Sequence, residues 1–139
     1  FIKEFFAKKG LIAGKEPSAE QIVDIEYGFE VAKAIGDIDI GQTVVVQEKM
    51  VLAIEAIEGT DQAIKRGCKF GNGNATVVKV SKPSQDQRFD IPVVGTKTLR
   101  TMKKYGAKVL ALEANETLIV DEEDFVKLAD KLQLTVVAV

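Results

Sequence analysis

The stretch Thr96-Lys97-Thr98-Leu99-Arg100-Thr101-Met102-Lys103-Lys104-Tyr105-Gly106-Ala107-Lys108-Val109-Leu110-Ala111-Leu112-Glu113 decides the fold. Its first ten residues predict a helix that stops at Gly106, the residue type that most readily takes the left-handed conformation at a helix end. A strand, Lys108 to Glu113, follows at once. Downstream the order repeats, with a short strand at Leu118 to Val120 and Asp121 capping a last helix. That helix carries Phe125, Leu128, Ala129 and Leu132 on one face, and a β-branched strand, Leu134 to Val139, closes the chain.

Upstream, Pro17 and Ser18 open a helix, with Ser18 and Gln21 at capping-box spacing. Ile22, Ile25, Phe29 and Ala32 recur on one face, and Gly36 is read as the stop. Thr43 to Gln47 and Met50 to Glu55 read as a hairpin turning at Glu48-Lys49. Gly59-Thr60-Asp61 leads into a brief helix ending near Arg66. Gly67, Gly71 and Gly73 then read as a flexible connection to a β-rich run, Thr76 to Val80. Residues 1–9 read as a short helix broken by Gly10 and Gly14. Helices alternate with strands after residue 50, which predicts an α/β fold: a layered domain with a mostly mixed β-sheet flanked by helices. Residues 1–16 are read as the tail of an upstream segment or linker, with the linker proper at Gly10 to Pro17, and residues 17–139 as the folded domain. The first residue is Phe1 rather than Met, so the chain reads as a piece of something longer.

Composition narrows the chemistry. With 139 residues, 46% hydrophobic and 29% charged, the chain fits one ordinary globular domain with a real core. A net charge of −2 provides no broad cationic field for nucleic acid or an anionic membrane. Aromatics make up 6% and Trp is absent, which argues against a base-stacking platform. The apolar runs are too short for a bilayer span, so any membrane contact is at most peripheral. Cys68 is the single cysteine, which fits a reducing compartment and a structural role for its thiol. There is no histidine. That excludes histidine triads, histidine general bases and histidine-ligated zinc, and leaves a hard, oxygen-bound ion such as magnesium or manganese as the metal to expect.

The densest polar stretch is Lys79-Val80-Ser81-Lys82-Pro83-Ser84-Gln85-Asp86-Gln87-Arg88-Phe89-Asp90-Ile91-Pro92, directly after a strand. Loops of this kind carry sites because a rigid sheet holds them while their side chains stay free. Its charges suit a phosphate ester or anhydride. Arg88 can fork onto a phosphoryl group, Lys79 or Lys82 can act as a point charge, and Asp86 and Asp90 can hold magnesium or orient a water. The rival reading is a solvated loop whose charges pair among themselves. Glu55 to Asp61 is the second candidate, because a helix start offers free N–H groups to an anion and Gly59 permits close approach. There the rival is a plain N-cap at Thr60 or Asp61.

Four blocks then carry a resemblance: Ile25 to Glu30, Asp39 to Gln42, Glu55 to Asp61 and Lys82 to Pro92. In this order they resemble the C-terminal half of the bacterial LpxI-type UDP-2,3-diacylglucosamine pyrophosphatases, from about Pro17 to the last residue. The resemblance implies a cytoplasmic hydrolase of lipid A biosynthesis. It would use water and magnesium to split UDP-2,3-diacylglucosamine into UMP and 2,3-diacylglucosamine 1-phosphate. It also implies a nucleotide-linked glycolipid substrate lying between two domains, of which this chain is the second. Asp86 and Asp90 carry over as the acidic catalytic or metal-binding centre. Lys82, Gln85 and Arg88 carry over as the phosphate-holding companions, and Thr60 and Asp61 as the wall. With the N-terminal domain supplying part of the site, the chain alone would be inactive. Asn115 stands where a glycine is expected in relatives. The alternative function is a non-catalytic module that binds a nucleotide sugar or dimerises; a homodimer is expected, and a nucleic-acid partner is not.

Overall fold

In a computed structural model the chain is described over residues 5–83 and 91–139. Its elements run β1 (Gly10–Ala13), α1 (Ala19–Asp37), β2 (Thr43–Gln47), β3 (Met50–Ile54), α2 (Thr60–Cys68), β4 (Ala75–Lys79), β5 (Val93–Val94), α3 (Thr96–Tyr105), β6 (Ala107–Leu112), β7 (Leu118–Ile119), α4 (Glu122–Lys131) and β8 (Thr135–Ala138). A six-stranded sheet has the order β1-β8-β6-β4-β2-β3, and β5 pairs with β7 in a second, two-stranded parallel sheet. Strands β4, β6 and β8 run parallel, β2 is antiparallel to both β4 and β3, and β1 is antiparallel to β8. This is the mixed α/β sheet expected from the alternation of elements.

The strands are apolar on successive residues because both faces of the sheet are covered. Val44, Val46, Val78, Val80, Val109, Ala111 and Val137 face α1, where Ile25, Ala32 and Ile35 meet them. Val45, Val77, Leu110, Leu112 and Val136 face the other way, toward Ile64, Leu99, Met102 and Phe125 of α2, α3 and α4. The result is three layers, with the carboxyl ends of β3, β4, β6 and β8 along one edge.

Most elements lie where the sequence places them. Ser18 and Gln21 make the reciprocal capping box, and α3 ends at Gly106 with φ 109°. The Glu48-Lys49 turn takes positive φ at both residues, 52° and 58°, although neither is glycine. The cost is offset by buried Asp24 on α1, whose carboxylate accepts the N–H of Glu48 (3.0 Å) and of Lys49 (2.8 Å).

Four local readings are corrected. Gly10–Ala13, read as linker, is an edge strand against β8, and Ala7 and Ala13 are buried in the core. Gly36 does not stop α1, which continues to Asp37; its missing Cβ is used for packing, since a Cβ there would stand 3.1 Å from that of Lys82. Gly67 lies inside α2, where a Cβ would come within 2.9 Å of Ala53 and Val45, so it lets the helix lie close on the β2–β3 hairpin. Asp121 occupies the cap position of α4 but makes no side-chain capping bond, its own φ being 49°. Met102 is fully buried core, and Cys68 is buried, which pushes its thiol up to about 11 and keeps it protonated and unreactive.

Candidate functional site

The carboxyl edge gathers the polar side chains. Two helices begin there, α2 after Gly59 and α3 after Gly95, and neither glycine can supply a side-chain cap. Each start therefore presents first-turn N–H groups that no capping side chain occupies. This settles the plain-cap reading of Thr60 and Asp61: both lie within α2 rather than at its cap.

The two starts touch. Thr98 of α3 donates its hydroxyl to Asp61 Oδ1 at 3.1 Å, and Lys97 Nζ stands 3.9 Å from the other Asp61 oxygen. The Thr60 hydroxyl lies 3.1 Å from that of Thr43, which is fully buried at the head of β2. Lys79, the last residue of β4, is buried and donates Nζ to the Val93 carbonyl at 3.0 Å. Burial lowers its pKa below the ordinary lysine value, while the nearby carboxylates of Glu55 and Asp61 pull it back up. A desolvated ammonium beside two open helix starts is suited to an oxyanion, because each interaction gains strength where water is excluded.

The ends of the polar loop are tied down as well. Lys82 pairs with Asp39 at 2.9 Å, the Pro92 carbonyl accepts the N–H of Leu118 at 3.0 Å, and Lys79 joins the end of β4 to Val93. Of the residues singled out in the sequence, Thr60, Asp61 and Lys79 come together here, and Lys82 lies at the mouth of the loop. Gln85, Asp86, Arg88 and Asp90 lie outside the described residues.

Glu58 belongs to the fold. Its carboxylate accepts the N–H of Ala56 at 2.7 Å and Arg66 Nε at 2.9 Å, contacts that hold its pKa below the usual carboxylate range. Among the described residues no group of three or more His, Cys, Asp or Glu is placed to hold a metal. Thr43, Lys97 and Thr98 escaped the sequence reading, although Gly95-Thr96 repeats the Gly59-Thr60 pattern at the start of a helix.

No described helix is long and apolar enough to cross a membrane. In comparison with known proteins, the chain is 35% identical to the UDP-2,3-diacylglucosamine pyrophosphatase LpxI of Caulobacter vibrioides over 144 residues. That match takes in 98% of this chain and 51% of the relative, so the chain spans about half the length of the protein it matches. The profile of the LpxI C-terminal domain matches residues 8–137, and the chain belongs to that family.

Proposed function

We propose that this chain is the phosphate-facing half of an enzyme that hydrolyses UDP-2,3-diacylglucosamine to UMP and 2,3-diacylglucosamine 1-phosphate in lipid A biosynthesis. The observation that carries the reading is the meeting of two uncapped helix starts and buried Lys79 at the edge where the polar loop leaves the sheet. The 35% identical relative is a UDP-2,3-diacylglucosamine pyrophosphatase, which supports the same substrate. In this account the N–H groups of α2 and α3, with Lys79 and Lys97, take the non-bridging oxygens of the pyrophosphate. Thr60 and Asp61 wall the site, and Asp61 keeps the two helix starts in register through Thr98.

Asp86 and Asp90 are the proposed acidic centre, and Lys82, Gln85 and Arg88 the proposed phosphate companions. A magnesium ion, or manganese in its place, would rest on the two aspartates and neutralise charge on the anhydride. The other half of the protein would close the site.

The test is UMP release from UDP-2,3-diacylglucosamine by the full-length parent, with magnesium and with excess EDTA. Turnover that EDTA abolishes and added magnesium restores is the expected result. Tight binding of the nucleotide lipid without any turnover would instead assign a binding module.

A further inference from the structure

On the α1 side of the sheet, Ser81 leaves β4 through contacts that no secondary structure requires. Its N–H donates to Glu113 Oε1 at 2.9 Å, and its carbonyl accepts Lys33 Nζ at 2.9 Å. Lys33 also reaches both oxygens of Glu113, at 3.2 and 3.3 Å. One ion pair thus satisfies both backbone groups of Ser81, the second residue beyond the strand.

Glu113 is itself immobilised. Its N–H donates to the Lys79 carbonyl at 3.2 Å, its carbonyl accepts the Thr117 hydroxyl at 3.1 Å, and its side chain is only 17% exposed. Lys33 projects from the C-terminal part of α1, three residues before Gly36, where the helix comes close to Lys82. These groups line a polar cleft of about 380 Å³ that also includes Lys82, Pro83 and Glu116.

We propose that Lys33 and Glu113 are positioning residues for the hydrolysis: together they fix the point and direction in which the chain leaves β4 toward the site. The proposal rests on the function argued above. Lys79, Asp61 and Thr98 occupy the opposite face of the sheet, so Lys33 and Glu113 reach that part of the site through Ser81, the residue they hold. A charged clamp suits this task better than a ladder bond. It holds the N–H and the carbonyl of one residue at once, and charge-assisted bonds are shorter and stronger than neutral ones. Placement matters because a shift of about 1 Å in a catalytic group can cost about 100-fold in rate.

The test uses the full-length parent carrying Glu113→Ala, Glu113→Gln or Lys33→Met, with the exposed α4 pair Lys127–Glu123 broken by Glu123→Ala as the control. Two readouts are taken: amide hydrogen exchange of peptides covering Val80 to Lys82, and kcat and KM for UMP release. For Glu113→Ala and Lys33→Met we expect exchange in that segment to rise about 10-fold or more, and kcat to fall about 10- to 100-fold with KM nearly constant. Glu113→Gln keeps an acceptor for the Ser81 N–H and is expected to recover most of kcat. Glu123→Ala should change neither readout. If Glu113→Ala does not fold, Lys33→Met carries the test alone. Unchanged exchange in the segment would overturn the clamp whatever the activity. Raised exchange with unchanged kcat would overturn its positioning role. A parent that folds but releases no UMP would sink the functional reading, while the exchange data still decide the clamp.

Discussion

Lys79→Met in the full-length protein is expected to lower UMP release by about 10²- to 10³-fold, the usual effect of removing one preorganised donor from a charged transition state. Methionine nearly matches the lysine in shape and needs no solvation, so the fold should survive. The native structure holds the lysine's pKa below its ordinary value through burial. A group depressed in this direction binds its proton less tightly folded than unfolded, so it weakens stability below the folded pKa. That penalty fades as pH rises through the folded pKa toward the unfolded one. Lys79→Met should remove this dependence but also lose the Nζ bond to the Val93 carbonyl, so its stability should stay within about 1 kcal/mol of wild type at neutral pH. A circular-dichroism melt beside the activity assay checks both halves. Full activity in Lys79→Met would move the oxyanion site away from the end of β4.

Gly41→Ala is expected to be among the most damaging small substitutions, destabilising the domain by about 3 kcal/mol and lowering Tm by about 10 °C. Gly41 is buried just before β2, and a Cβ there would fall on the carbonyl oxygen of Glu55, with its carbon only 2.9 Å away. Backbone cannot swing aside as a side-chain tip can. The ends of β2 and β3 are bound together at this point, with the Glu55 N–H on the Thr43 carbonyl at 2.9 Å and the Gln42 N–H on the Glu55 carboxylate at 3.2 Å. Forcing them apart would also move Thr43 from beneath Thr60. The stability control is Gly95→Ala, where the nearest atom would be 3.9 Å from the new Cβ and φ is −149°. A thermal melt should place Gly95→Ala within about 3 °C of wild type, on the scale of a surface change. Equal Tm values for the two variants would show that the β2–β3 crossing is looser than described.

Elements with strong periodicity or paired signals were legible in the sequence. Ser18 with Gln21, the helix from Thr96 with its Gly106 stop, and the closing helix and strand follow from residues close together in the chain. The misread glycines share one cause. Gly36 and Gly67 look like breaks locally, but each is demanded by a neighbour distant in sequence, Lys82 in one case and Val45 in the other. Strand β1 was missed because its stability comes from β8, more than a hundred residues away.

The site divides in the same way. Thr60, Asp61 and Lys79 were reachable from the helix start and the strand end that carry them. Thr98 and the Lys33–Glu113–Ser81 clamp depend on pairings across 32 to 80 residues that no local pattern announces.

The central claim is that the loop leaving β4 brings the acidic centre to this edge. The most direct test compares magnesium-dependent UMP release by the full-length parent with that of Asp86→Ala and Asp90→Ala, each verified as folded. The account predicts that at least one variant loses about 10³-fold or more in kcat, as expected when a group essential to positioning water or metal is removed. Wild-type rates in both variants would contradict it, and would leave the loop a solvated connection between β4 and β5.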